Sequence, residues 1–209
     1  MPDDLAPASY RVIGGLIDNG ASVLDLGCGN GALLKYLADH NDTRGRGIEI
    51  DEQAIYACVA RGLSVSHQDI DNGLPEYNDS SFDYVILNEC LQQIIQPHRA
   101  LSEAARVGRK VIVGFPNFSY FTARFMLGVI GRAPVTPSLP HQWYNTPNRH
   151  FLSIDDFKIY CRQFSYSVES VSSLNGDRMI KILPNIFAQT AIFCISRDKN
   201  DKNHPHGIK

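Results

Sequence analysis

Nine residues near the start of the chain, V-L-D-L-G-C-G-N-G at positions 23–31, limit what it can fold into more than any other stretch. An apolar run passes straight into three alternate glycines, Gly27, Gly29 and Gly31, and then into A-L-L-K-Y-L-A-D-H, where Leu33, Leu34 and Leu37 recur at helical spacing. Glycine permits a sharp turn from strand to helix and leaves the backbone bare to an approaching ligand. The pattern predicts a buried strand, a tight turn and a helix. This is the opening unit of an α/β fold, in which ligands bind beyond the carboxyl ends of the strands.

The same rhythm continues. R-G-R-G-I-E-I (44–50) reads as a second strand, and D-E-Q-A-I-Y-A-C-V-A-R-G (51–62) as a helix stopped by Gly62. L-S-V-S-H-Q-D-I (63–70) is a third strand. F-D-Y-V-I-L-N-E (82–89) is a fourth, and its nearly continuous apolar character fits a strand covered by helices on both faces. A helix after Pro97 leads to a fifth strand, R-K-V-I-V-G-F. Residues 9–19 form an amphipathic lead-in helix. The stretch 115–150 is rich in proline, aromatics and asparagine and holds one helical run at 120–131. A helix then starts with Ser153 as N-cap and Asp156 as its capping-box partner. Two closing strands, 165–176 and 187–197, follow with no helix between them, and their hairpin-like connection makes one of them antiparallel. The expected architecture is α/β: a doubly wound, mostly parallel, seven-stranded Rossmann-like sheet with one antiparallel strand. It occupies one domain over residues 1–197 with a lid or insert at about 115–150, and the polar tail 198–209 is expected to be disordered.

The glycines alone do not choose a ligand, because Gly27, Gly29 and Ala32 also satisfy the G-x-G-x-x-G/A pattern of dinucleotide sites. Three acids bear on the choice. Asp25 interrupts the first strand, Glu49 ends the second about 20 residues on, where an acid accepts hydrogen bonds from ribose hydroxyls, and Asp69 ends the third. Three carboxylates meeting at one crevice suit a cation better than a pyrophosphate, since like charges would otherwise raise one another's pKa. S-adenosylmethionine carries a sulfonium and an ammonium and has no phosphate.

V-L-D-L-G-C-G-N-G, G-I-E-I-D, Q-D-I-D and F-D-Y-V-I-L-N-E-C-L-Q-Q-I together resemble the successive cofactor motifs of class I S-adenosylmethionine-dependent methyltransferases, over roughly residues 10–115. The resemblance implies that S-adenosylmethionine or S-adenosylhomocysteine is the cofactor. Gly27, Cys28 and Gly29 would line its methionine half, and Asp25 would support its ammonium group. Glu49 would hold the ribose, Ile50 would pack on the adenine, and Asp69 with Ile70 would bracket the base. Asn88 would offer its carbonyl to the ammonium. Gln93 stands where many small-molecule methyltransferases have histidine.

The segment after the fifth strand holds the single tryptophan, Trp143, with His141, Tyr144, Asn145, Asn148, Arg149 and His150 close by. Three uses stay open: a substrate pocket, the centre of a protein interface, or aromatics that cap the core. No catalytic residue emerges, because His141 and His150 have no orienting carboxylate beside them. Methyl transfer needs chiefly alignment of its acceptor with the sulfonium. F-P-N-F, G-R-A-P-V-T-P-S-L-P-H-Q-W-Y-N-T-P-N-R-H-F and S-I-D-D-F-K-I-Y-C extend a narrower resemblance, to the methionine biosynthesis protein MetW family, over almost the whole chain. It implies an accessory role beside the homoserine O-acyltransferase MetX, supporting homoserine acylation. The alternative is an active small-molecule methyltransferase.

Composition narrows the partners. A formal charge of −2 with no basic stripe gives no basis for nucleic acid or an anionic membrane. Five cysteines without C-x-x-C spacing indicate reduced thiols and neither a metal site nor a disulfide scaffold. The opening M-P-D-D-L-A-P-A-S-Y lacks a signal peptide's apolar core, and F-T-A-R-F-M-L-G-V-I-G is too short to span a bilayer. A cytoplasmic location is expected.

Overall fold

In the computed structural model, residues 6–197 are described; the tail expectation for 198–209 lies outside them. The elements run α1 (Ala8–Leu16), β1 (Ser22–Leu26), α2 (Ala32–Asn41), β2 (Arg44–Glu49), α3 (Glu52–Ala60), β3 (Ser64–His67), β4 (Phe82–Asn88), α4 (Pro97–Val107) and β5 (Gly108–Pro116). There follow α5 (Phe121–Phe125), which runs on as a π-turn over Met126–Ile130, then α6 (Ile154–Gln163), β6 (Tyr166–Asn175), β7 (Arg178–Met179), α7 (Pro184–Phe187) and β8 (Thr190–Arg197).

One sheet holds all the strands in the order β3-β2-β1-β4-β5-β8-β6-β7. The first five strands are mutually parallel, whereas β8 runs antiparallel between β5 and β6. β1 lies between β2 and β4, so the chain winds outward in both directions from it and leaves a crevice beyond its carboxyl end.

Side chains alternate across β1. Leu24 and Leu26 join a core with Val85, Leu87, Leu101 and Phe157, and Val23 joins the opposite core with Ile13, Leu34, Leu37 and Ile86. Stacked Phe115 and Phe193, both fully buried, anchor the first core beside Phe157. Each such ring contributes roughly 1.5–3 kcal/mol on burial.

The sheet has eight strands and not seven, and the link between the last two long strands is not a simple hairpin. Gly176, at φ +57°, lets β6 turn back through Gly176–Asp177 into the two-residue β7, which pairs Met179 with Leu174. Pro184 then opens the one-turn helix α7, proline being favoured at a first helical position. Both are too short for a periodicity argument to register. At α6 the expected capping box is present: Ser153 Oγ accepts from the Asp156 amide, and Asp156 Oδ2 accepts from the Ser153 amide at 3.0 Å.

Candidate functional site

The turn after β1 is fastened to β2. The amides of Gly27 and Cys28 both donate to the Ile48 carbonyl, at 2.8 and 3.1 Å, and the Gly29 amide donates to Glu49 Oε2 at 2.8 Å. Glu49 Oε1 accepts from the amides of Ile50 (2.7 Å) and Asp51 (3.0 Å). Glu49 is therefore the clamp that joins the glycine turn to the entrance of α3, a role the sequence reading did not include. Each carboxylate oxygen has two lone pairs, so acceptor capacity remains for a further hydroxyl. We expect Glu49→Ala to raise the dissociation constant for S-adenosylmethionine more than tenfold by isothermal titration calorimetry. It should also cost about 1–2 kcal/mol in urea unfolding, because three amides lose their acceptor.

Asp25 sits beneath this turn and is 2% exposed. Burial, and secondarily the charge of Glu49, push its carboxyl up to about 7. An acid kept this close to neutrality in a strand favours a cation nearby, which would restore its ionised form. Cys28 is buried, and its thiol is pushed well above the ordinary range, first by burial and then by Asp25. That makes it a packing residue and not a nucleophile.

The other expected residues ring the same end of the sheet. Asp69 lies just past β3, and its Oδ1 accepts from the Asp71 amide at 2.9 Å as the N-cap of a 3₁₀ turn, Ile70–Asn72. Ile70 is packed on the first core, whereas Ile50 is exposed. Asn88 ends β4 over Gly114 of β5, where any side chain would collide with its amide; its Oδ1 is buried and has no hydrogen-bond partner. A buried unpaired carbonyl oxygen is an unused acceptor, and a ligand ammonium would satisfy it.

Sequence reasoning missed two groups. Glu89, one residue past Asn88, is held at φ +58°, and desolvation raises its carboxyl. Tyr10, on α1, has its hydroxyl raised first by burial and then by the charges of Asp25 and Glu89, and its ring lies 6.0 Å from that of Tyr36. Glu89 could have been found by extending the strand-end argument one residue; nothing in the α1 pattern marked Tyr10.

The segment expected to cover the crevice divides. Trp143 and Tyr144 are 76% and 70% exposed and meet edge to face at 5.7 Å. His141 is exposed, Asn145 Oδ1 closes a turn by accepting from the Gln142 amide, and the Asn148 amide donates to Thr146 Oγ1. His150 is tied into the scaffold: its Nε2 lies 3.0 Å from the Ile94 carbonyl. Its amide and that of Arg149 both donate to the Gln92 carbonyl. Among the remaining histidines, His67 is exposed on edge strand β3, and His98 Nδ1 meets the Tyr160 hydroxyl at 2.8 Å.

Among the described residues no cluster of three or more histidine, cysteine or acidic side chains could hold a metal ion, and no helix is long and apolar enough to cross a membrane.

The profile of the family described as "Methionine biosynthesis protein MetW" matches residues 7–195. The chain belongs to the MetW family. A bifunctional methionine biosynthesis protein MetXA/MetW from Rhodopirellula baltica is 37% identical over 196 residues, covering 88% of this chain and 32% of that relative. This chain thus spans about a third of that relative's length. An S-adenosylmethionine-dependent methyltransferase from Mesorhizobium loti superposes with a TM-score of 0.69 at 15% identity, over 93% of this chain and 99% of its own. The [4+2]-cyclase SpnF superposes with a TM-score of 0.65 at 16% identity, over 90% and 80%. This chain therefore has the class I methyltransferase fold, and this fold also serves proteins named for other chemistry.

Proposed function

We propose that this MetW-family protein binds S-adenosylmethionine, or S-adenosylhomocysteine, and acts in the cytoplasm as the accessory partner of the homoserine O-acyltransferase MetX. The observation that carries the partner half is the relative whose name joins MetXA and MetW in one chain. Two activities fused in one relative are frequently associated as separate chains in another, because fusion replaces association by a high effective concentration.

The cofactor half rests on the crevice. Glu49, and Asp25 once a cation restores its ionised form, supply negative charge under a turn whose Gly29 faces open space, and the unpaired Asn88 Oδ1 supplies a further acceptor. These donor and acceptor types fit a cationic nucleoside. Gly27, Cys28, Gly29 and Asp25 would hold the amino-acid end, and Glu49, Ile50, Asp69 and Ile70 the nucleoside end. When bound, the cofactor would supply an electrophilic methyl group. Among the described residues no histidine stands out as a base for an acceptor.

The test is the rate of homoserine acylation by the acyltransferase of the same organism, with and without this protein at matched concentration. We expect a rise in rate and co-elution of the two proteins on a sizing column. The shared fold keeps a second reading in play, an active small-molecule methyltransferase with the Trp143 segment closing over its acceptor. No rise in rate and no complex would favour that reading.

A further inference from the structure

An unexplained feature outside the crevice is the surface built by α5, its π-turn and the segment after them. Phe125, Leu127, Val129 and Ile130 are 54%, 64%, 72% and 53% exposed, on one short helical run. Phe121 lies 6.2 Å from Phe187 of α7, ring to ring, and Phe118 packs edge-on against Phe151, which is itself exposed. The apolar surface therefore continues onto two neighbouring segments. Contiguous apolar patches of this kind are uncommon on monomers and mark sites of association. π-turns are also found disproportionately at functional sites.

The charge along this segment is one-sided. Residues 118–154 contain no aspartate or glutamate and three arginines, Arg124, Arg132 and Arg149, in a chain whose net charge is −2. All three arginines are exposed. An apolar, aromatic run flanked by arginines, with its first acids, Asp155 and Asp156, only past Phe151, is complementary to an apolar groove edged by carboxylates.

That distribution selects among occupants. A second copy meeting the Phe121–Ile130 run across a two-fold axis would set Arg124 and Arg132 against their own copies, in a run that holds no acid. A membrane would meet a chain whose remaining surface is net acidic and repelled by anionic lipid. Residues 198–209 offer one aliphatic side chain, Ile208, to cover the patch.

We infer that the Phe121–Ile130 face, rimmed by Arg124, Arg132 and Arg149, docks a folded protein through an apolar groove bordered by acidic side chains. Resting on the reading above, that protein is the homoserine O-acyltransferase. Docking there puts the partner beside the crevice. Arg149 and His150 hang on the Gln92 carbonyl, and Gln92 Nε2 donates to the Glu89 carbonyl at 2.8 Å, so face and crevice share one loop.

The test uses the full-length chain and the acyltransferase of the same organism. Val129→Asp and Arg132→Glu both alter exposed side chains with no hydrogen bond in the fold, so each should retain wild-type thermal unfolding and S-adenosylmethionine affinity. Each should raise the dissociation constant for the acyltransferase at least tenfold in calorimetry. If the wild type binds the acyltransferase and both variants bind it equally well, the face is wrong and the accessory reading stands. If the wild type itself does not bind, the accessory reading fails and this inference with it. A wild-type dimer dissolved by Val129→Asp would overturn the assignment in favour of a second copy. Wild-type sedimentation with phosphatidylglycerol vesicles, lost in both variants while acyltransferase affinity is unchanged, would overturn it in favour of a membrane.

Discussion

Replacing Asp25 with asparagine should make the ligand-free protein more stable above pH 7 while removing most of its affinity for S-adenosylmethionine. The carboxyl is held at about 7 against an ordinary value of 3.8. Below about pH 4 both folded and unfolded chains carry it protonated, and it makes no difference to folding. Between pH 4 and 7 the unfolded chain releases the proton and the folded chain keeps it, so wild-type stability declines through that window. The decline is about 1.4 kcal/mol per pH unit, up to about 4 kcal/mol in all, and is complete above pH 7. Asparagine is nearly isosteric and does not ionise, so the variant escapes the decline. Its advantage should be absent near pH 4 and largest above pH 7, read from urea unfolding curves at stepped pH. Wild-type affinity for S-adenosylmethionine should rise through the same window, because the cation favours the ionised carboxylate, and the variant should show no such rise. Parallel stability curves for the two proteins would mean that Asp25 is not buried as a charge at all, and the electrostatic case for a cationic ligand would lose its centre.

The regular half of this structure was legible because its residues obey local rules. Val23, Leu24 and Leu26 alternate around Asp25 on one strand, Leu33, Leu34 and Leu37 recur on a helix, and Ser153 with Asp156 forms a cap from four consecutive residues. The eighth strand was not legible, since β7 has two residues and exists only because Gly176 turns the chain back onto β6. At the candidate site the same division holds. Asp25, Glu49 and Asp69 could be placed at strand ends by counting, but that Glu49 grips the Gly29 amide depends on how two loops meet in space. Tyr10, on α1, lies near enough to Asp25 and Glu89 for their charges to raise its hydroxyl, and no spacing argument joins residues that only packing brings together. His150 reads in sequence as a member of the Trp143 cluster, yet the Ile94 carbonyl holds its ring in the scaffold.

Alanine at Gly31 and alanine at Gly29 should fail in different ways, although the two glycines belong to one motif. Gly31 lies at φ +74°, and a Cβ there would run into Leu63 Cδ1 and stand 2.9 Å from Cys58 Sγ. The left-handed backbone costs alanine roughly 1–2 kcal/mol. Crowding in a packed interior adds about 1–3 kcal/mol. Gly31→Ala should therefore lose about 2–5 kcal/mol, which in a chain of this size lowers the melting temperature on the order of 10 °C. Gly29, at φ +53°, shares the backbone penalty but has nothing within 4 Å of the added carbon. Its substitution should cost stability only by the first amount, yet reduce S-adenosylmethionine affinity at least tenfold, because the open space beside it is where the ligand must approach. Thermal unfolding and calorimetry on the two variants separate these roles. Unchanged affinity in Gly29→Ala would mean that no ligand comes within contact of this backbone, and that Gly29 serves the turn alone.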